Sequence, residues 1–202
     1  MKNYSEGWNL SFQIATKDLN NLDLCLEIGC FEGLTSKYIV EKLLTENGIL
    51  ICVDPLTDNY LNDNLNEKDV ENNKTIYKYF ESQYDRFVSN CNHELQNERI
   101  KLLRDLSSNV YPTLIEDLKG MFDLIYIDGD HRADAVYLDA INCFELCKNG
   151  GHILFDDYSW GEEYGMNSPS FGIDKFLSEY EGRYQIISKN YQVMIRKNDT
   201  II

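Results

Sequence analysis

Basic residues are scarce in this chain. Its 19 Lys and Arg stand against 34 Asp and Glu, a formal net charge of −15, and a protein short of cations cannot neutralise a phosphate backbone. That argues against nucleic acid as a partner, and equally against an anionic membrane surface. Long apolar runs are also missing. No stretch approaches the ~20 residues of a membrane span, and the N-terminal MKNYSEGWNL has no apolar signal-peptide core, so a cytoplasmic location is expected. Proline occurs three times; the loops are built from Asn, Asp and Gly instead, which reads as coding bias more than function. Zinc spacing is absent as well. Of the six cysteines, at 25, 30, 52, 91, 143 and 147, four fall in predicted strands or on core faces of helices. Cys143 and Cys147 are one helical turn apart but have no companion Cys/His pair, so reduced, packed thiols are expected. At 202 residues the chain fits one domain with a single core.

What is present is organised around Phe122–Trp160. The apolar runs Phe122–Ile127 and His152–Phe155 have the character of strands buried on both faces, while Ala133–Leu146 between them carries apolar residues at helical spacing. Each run ends in acid: Asp128 and Asp130 after the first, Asp156 and Asp157 after the second. A right-handed crossover makes such strands parallel and brings both acidic ends to one edge of the sheet, the carboxyl edge where open α/β sheets bind ligands.

Earlier in the chain, Ser5–Asn20 reads as a short helix, used either to cover that edge or to contact a second copy in a homodimer. Leu22–Ile28 is a strand, followed by the turn Glu27-Ile28-Gly29-Cys30-Phe31-Glu32-Gly33 and a helix over Leu34–Thr45. The dinucleotide fingerprint G-x-G-x-x-G fails here, since Phe31 and Leu34 occupy positions that need glycine. A second strand, Ile49–Val53, ends at Asp54. Within Leu56–Asn97 the polar half Thr57–Lys74 suits a lid, and Ile76–Leu95 is helical, with a core-facing stripe of Tyr77, Phe80, Tyr84, Phe87 and Val88. The strand Ile100–Arg104 then leads through Asp105-Leu106-Ser107 into the helix Tyr111–Leu118. A helix near Ile173–Glu181 and the strands Tyr184–Ser188 and Tyr191–Lys197 close the chain.

The spacing acid-x-Gly-x-x-x-Gly, carried by Glu27, Gly29 and Gly33, resembles motif I of the class I S-adenosylmethionine-dependent methyltransferases. The likeness extends over nearly the whole chain, including the final strand pair. It implies an α/β, Rossmann-like class I methyltransferase fold: a mostly parallel seven-stranded sheet with helices on both faces and an antiparallel C-terminal pair. It further implies that Glu27, Gly29, Cys30, Gly33 and Asp54 hold S-adenosylmethionine, with Asp54 on the ribose hydroxyls. Asp105, Leu106 and Ser107 would lie beside the adenine and Asp128 would border the cofactor. Ser107–Asn109 serve equally well as helix caps.

Asp128-Gly129-Asp130-His131 with Asp156-Asp157 also looks like the cation-dependent O-methyltransferases. That resemblance implies Mg²⁺, or another hard divalent cation, on Asp128, Asp156 and Asp157. Asp157 and His131 stand where the plant members have Asn and Lys. Both are like the sugar-modifying macrolide and aminocoumarin branch, so the implied acceptor is a small hydroxylated molecule bearing a sugar. Such an ion lowers the pKa of the acceptor hydroxyl and fixes its approach; His131, three residues past Asp128, is placed to take the proton. Asp130 and Asp134 read as acids favoured by a helix N-terminus. His152 opens its strand, at the far edge from the acids, and so is read as structural; this weakens an iron-oxygenase reading, which needs two histidines and a carboxylate together. Tyr158 and Trp160 either wall the acceptor pocket or simply pack. Two rivals stay open: a metal-free methyltransferase in which the acids orient substrate, and a silent module that binds cofactor without turnover.

Overall fold

The computed structural model describes residues 5–56 and 82–199. The expected lid at Thr57–Lys74 therefore lies outside the described residues, as do Tyr77 and Phe80. In chain order the strands are β1 (Leu22–Ile28), β2 (Leu44–Val53), β3 (Ile100–Leu103), β4 (Phe122–Ile127), β5 (Cys147–Phe155), β6 (Tyr184–Lys189) and β7 (Val193–Lys197). The α-helices are α1 (Ser5–Thr16), α2 (Leu34–Tyr38), α3 (Gln83–Asn90), α4 (Asn92–Gln96), α5 (Ser107–Leu118), α6 (Ala133–Leu146) and α7 (Pro169–Glu179). The strands form one sheet in the order β3-β2-β1-β4-β5-β7-β6. β1 to β5 pair in parallel, and β7 runs antiparallel to both β5 and β6. This is the architecture the resemblance implied.

Strand alternation builds two apolar layers, one on each face. Leu124 and Tyr126 of β4 join Phe12, Ile39, Leu43, Phe87 and Cys91 on one side. Ile125 and Ile127 join Tyr111, Leu114, Val136, Phe144 and Phe176 on the other. Every residue of β4 is consequently buried, and each such large apolar side chain contributes roughly 1.5–3 kcal/mol by leaving water. The six cysteines are all buried and free, as expected. Among the described residues no helix is long and apolar enough to cross a membrane.

Several expected boundaries moved: the helix expected from Tyr111 starts at Ser107, the strand expected from His152 starts at Cys147, and the helix expected from Ile173 starts at Pro169, while in three further places packing overrode local pattern. The helix after the glycine turn ends at Tyr38 and continues as a π-helical turn over Ile39–Leu43, which buries Ile39, Val40 and Leu43 together. β2 starts at Leu44 rather than Ile49, because Leu44 pairs with Leu22 ahead of a register irregularity. The helical half of the long connection breaks at Cys91, whose φ of −105° and ψ of 18° separate α3 from α4.

Chain order reverses at β1, which lies between β2 and β4, so the crevice beyond its carboxyl end is the topological switch point. Register sets what gathers there. Ile28 is level with Val53 and with Ile127, and Ile127 is level with Phe155. The next residue on each strand is therefore Gly29, Asp54, Asp128 and Asp156, all at one height. The ladder carries on through them: the Gly29 N–H donates to Val53 O at 2.9 Å, the Asp128 N–H to Ile28 O at 2.8 Å, and the Asp156 N–H to Ile127 O at 2.9 Å.

Candidate active site

On the β1 side of the crevice the chain turns at Gly29, whose φ of +82° is open to glycine without strain. Asp54 holds that turn. Its Oδ2 accepts the N–H groups of Cys30 and Phe31, both at 2.9 Å, and its Oδ1 accepts the Leu56 N–H at 2.8 Å. Phe31, at φ +46°, is fixed in the left-handed region by this capture. Cys30 therefore offers the turn its backbone, while the residue as a whole is only 4% exposed and packs in the core.

Glu27, one residue before the end of β1, is 1% exposed. The Ser36 hydroxyl donates to its Oε2, and the Cys52 thiol lies 3.5 Å from the same atom. Burial lifts its carboxyl from the ordinary 4.5 to about 8, against the pull of those two donors. An acid so raised contributes stability that is present in full below pH 4.5 and lost as pH climbs through about 8. Between pH 5 and 7 the wild type should lose on the order of 2–3 kcal/mol that Glu27→Gln keeps, at 1.36 kcal/mol per unit. Urea unfolding of the two proteins without ligand, across that range, checks this; parallel profiles would mean that Glu27 is already ionised in the fold.

Beyond β3, Asp105 Oδ1 accepts the Leu106 N–H at 2.7 Å and the Asn109 amide at 2.8 Å. Ser107 does not cap α5. Its hydroxyl turns inward and donates to Asp139 Oδ1 at 2.7 Å, an atom that also accepts from Tyr111 Oη at 2.7 Å. Leu106 is left 42% exposed at the mouth of the crevice.

On the β4–β5 side the acids meet. Asp128, His131 and Asp157 each present one ligand atom, all within 4.8 Å of one another. His131 Nε2 is 2.5 Å from Asp157 Oδ2, and Tyr191 Oη donates to Asp157 Oδ1 at 2.5 Å. Asp156 is occupied differently. Its Oδ2 accepts from Tyr126 Oη, which also lies 3.2 Å from Asp128 Oδ2, and its Oδ1 accepts from Gln192 Nε2 at 3.0 Å and the Asp157 N–H at 2.7 Å. Asp157 sits at φ +53°, a left-handed conformation of the kind that persists where surroundings over-determine it and that clusters at functional sites.

Burial and the neighbouring Asp156, Asp157 and Glu27 charges push the Asp128 carboxyl well above its usual range. Burial likewise raises Asp156, opposed by the Tyr126 hydrogen bond. The hydrogen bond to Asp157 raises the His131 imidazole, opposed by burial. Carboxylates packed this closely are mutually destabilising unless a proton or a cation is shared among them. The donor set, two carboxylates and an imidazole, fits a divalent cation.

Trp160 packs on His131 with ring centroids 4.9 Å apart. His152 is level with Leu124, well back along β5 from the acids. Asp130 is engaged by Arg132, and Asp134 accepts the Ala135 N–H at 2.9 Å, at the start of α6. α1 lays Phe12 edge-on to Tyr126, centroids 4.7 Å apart, so it backs the acids from one face of the sheet. Tyr126, Tyr191 and Gln192 were not singled out from sequence. Tyr126 carries a signal, being two residues before Asp128 and so on the same side of its strand; Tyr191 and Gln192 lie 34 and 36 residues from their partners and carry none.

A glycine turn after the first strand, an acid after the second, and a seven-stranded sheet closed by a reversed strand define a Rossmann-like methyltransferase fold. The chain belongs to the family described as methyltransferase domain, whose model matches residues 26–158. A mimivirus protein of uncharacterized function, R132 of Acanthamoeba polyphaga mimivirus, is 28% identical over 133 residues, 66% of this chain and 50% of that protein; the chain thus spans about half the length of this curated relative. Among solved structures, the O-methyltransferase TomG of Streptomyces achromogenes, involved in tomaymycin synthesis and determined with S-adenosylmethionine, superposes with a TM-score of 0.65 at 14% identity, covering 98% of this chain and 82% of that one. An O-methyltransferase from Bacillus cereus, determined with S-adenosylhomocysteine, gives 0.64 at 17% identity, covering 98% and 83%.

Proposed function

We propose that this chain transfers a methyl group from S-adenosylmethionine to a hydroxyl of a small, sugar-bearing acceptor with the help of a divalent cation. The observation that carries the reading is the common level of Gly29, Asp54, Asp128 and Asp156, which sets a cofactor turn beside an acid–imidazole cluster across one crevice. The structural neighbours TomG and the Bacillus cereus enzyme, one with S-adenosylmethionine and one with its product, support the cofactor. Asp157 and His131, the residues of the sugar-modifying pattern, support the acceptor class, and the acidic surface keeps nucleic acid out.

In this reading Gly29, Gly33 and the Cys30 backbone shape the cofactor's bed, Glu27 and Asp54 brace it, and Asp105, Leu106 and Ser107 border its far end. Methyl transfer is an in-line displacement: the acceptor oxygen bonds the methyl carbon as the carbon–sulfur bond breaks, sulfur leaves as a neutral thioether, and the hydroxyl proton must be taken up. A bound cation lowers the pKa of that hydroxyl and orients it. Asp128 and Asp157 would hold the ion; of His131 and Asp156 one would be its third ligand, and where His131 is that ligand the hydroxyl proton would leave to solvent instead of to the imidazole. Trp160, packed on His131, forms the acceptor's wall, whereas Tyr158 packs away from it with its hydroxyl on Asp174 at 3.0 Å and its ring under Lys189.

Calorimetric titration with S-adenosylhomocysteine, then with Mg²⁺, tests this. Cofactor should bind, and Asp54→Ala should weaken it by loosening the turn; failure of the wild type to bind would sink the reading. Turnover on sugar nucleotides should stop in excess chelator. A metal-free methyltransferase is the second reading, favoured by one observation: Asp156 already has three protein donors. Full activity in chelator would establish it.

A further inference from the structure

Sequence pattern places the ion on Asp128, Asp156 and Asp157 and leaves His131 as the base. The geometry distributes these groups otherwise. Ligand atoms that converge within 4.8 Å come from Asp128, His131 and Asp157. Asp156 is spoken for: Tyr126 Oη on one oxygen, Gln192 Nε2 and the Asp157 N–H on the other. Tyr126 and Gln192 are 2% and 5% exposed, so turning Asp156 onto an ion would cost Gln192 its acceptor and leave Tyr126 only its longer contact of 3.2 Å with Asp128 Oδ2, an exchange that carries a desolvation penalty. For His131 the exchange is small. Its Nε2 already faces Asp157 Oδ2 at 2.5 Å, so a small opening of that contact would let one ion take both atoms as ligands, with bonds of about 2.0–2.2 Å to each. The imidazole is also 39% exposed, at the open side of the cluster, where an ion can enter.

Resting on the cation-dependent reading above, we infer that His131 is the third ligand of the ion, and that Asp156 is a positioning residue which ties Tyr126 and Gln192 to the site and holds the Asp157 backbone. Imidazole binds as the neutral ring, so its proton leaves when the ion arrives. A nitrogen donor suits Mn²⁺, Fe²⁺, Co²⁺ or Zn²⁺ better than Mg²⁺, which prefers oxygen alone.

Mn²⁺ added to the full chain, followed by pulsed electron paramagnetic resonance, tests this without any turnover. The wild type should show ¹⁴N modulation from one imidazole. His131→Ala should remove the modulation, weaken Mn²⁺ at least ~100-fold and narrow the preference for Co²⁺ over Mg²⁺. Asp156→Asn should keep the modulation and weaken Mn²⁺ by only about tenfold, the low end for a group that supports a ligand without touching the metal. Tight Mn²⁺ binding with no nitrogen coupling would overturn the assignment while leaving cation dependence intact, and this is decided on the wild type even if a variant fails to fold. No Mn²⁺ binding at millimolar concentration would overturn both.

Discussion

Gly29→Ala should unfold in urea at a markedly lower midpoint, with a loss of roughly 3–5 kcal/mol, and should bind no S-adenosylhomocysteine. A Cβ at this position would stand 2.0 Å from the Asp128 carbonyl oxygen, 2.6 Å from its carbon and 2.8 Å from the Gly129 Cα. All three are backbone atoms of the β4 end, and none can step aside without breaking the Asp128 N–H to Ile28 O bond of 2.8 Å. Overpacking costs about 1–3 kcal/mol where side chains can adjust, and the left-handed φ of +82° adds about 1–2 kcal/mol for any residue with a Cβ. Gly120→Ala is the internal comparison. It has a φ of +70° but nothing within 4 Å of the new methyl, so it should lose only about 1 kcal/mol. Equal losses at the two positions would show that close approach of β1 and β4 does not set the need for glycine at 29.

Asp128→Asn should move stability and function in opposite directions. Burial pushes the Asp128 carboxyl up, and the neighbouring Asp156 and Asp157 carboxylates add to that effect. A neutral isostere removes one member of this repelling group while its carbonyl can still meet the Tyr126 hydroxyl. The ligand-free protein should gain stability at neutral pH, a trade of stability against activity expected where a site concentrates like charge. The sign follows from the raised carboxyl: its favourable contribution is complete below the unfolded-state value and is lost as pH rises, so the gain in the variant should fade toward acid pH. Function should go the other way. Wild type in Mn²⁺ at 100 times Kd gains about 2.7 kcal/mol by mass action, and Asp128→Asn should gain almost nothing. Methyl transfer should fall by at least ~10²-fold, the scale for losing a group that stabilises developing charge. Thermal or urea unfolding with and without Mn²⁺ reads both signs in one experiment; a ligand-free Asp128→Asn less stable than wild type would mean that the acids already share a proton that Asn disrupts.

The strands were legible because their signal is local. Phe122–Ile127 is apolar at every position but Asp123 and cannot satisfy that composition on a half-exposed surface, so a strand buried on both faces follows directly. The acids at its end were legible for the same reason, as an abrupt change from apolar to charged. Boundaries were harder: the π-helical turn at Ile39–Leu43 and the break at Cys91 are answers to packing against the sheet, and nothing in the local pattern of apolar residues announces them. The site's supports were hidden by distance along the chain. Asp54 reads from its place as a ligand for ribose, and what spacing does not show is that both its oxygens also take backbone N–H groups of the adjoining turns. Ser107 looked like a cap and instead serves Asp139.

Sequence by itself determined the order of strands and helices, the glycine turn, and which side chains at strand ends are acidic, since each depends on residue type and short-range periodicity. Only the tertiary structure decided what those acids are bonded to. Parallel register brings Gly29, Asp54, Asp128 and Asp156 to one height, and the reversed strand β7 delivers Tyr191 and Gln192 to the acids of β5 from 34 and 36 residues away. Hydrogen-bond donors are few inside a core, so which carboxylate captures them and which is left with fewer is settled by three-dimensional adjacency, a quantity that one-dimensional spacing does not contain.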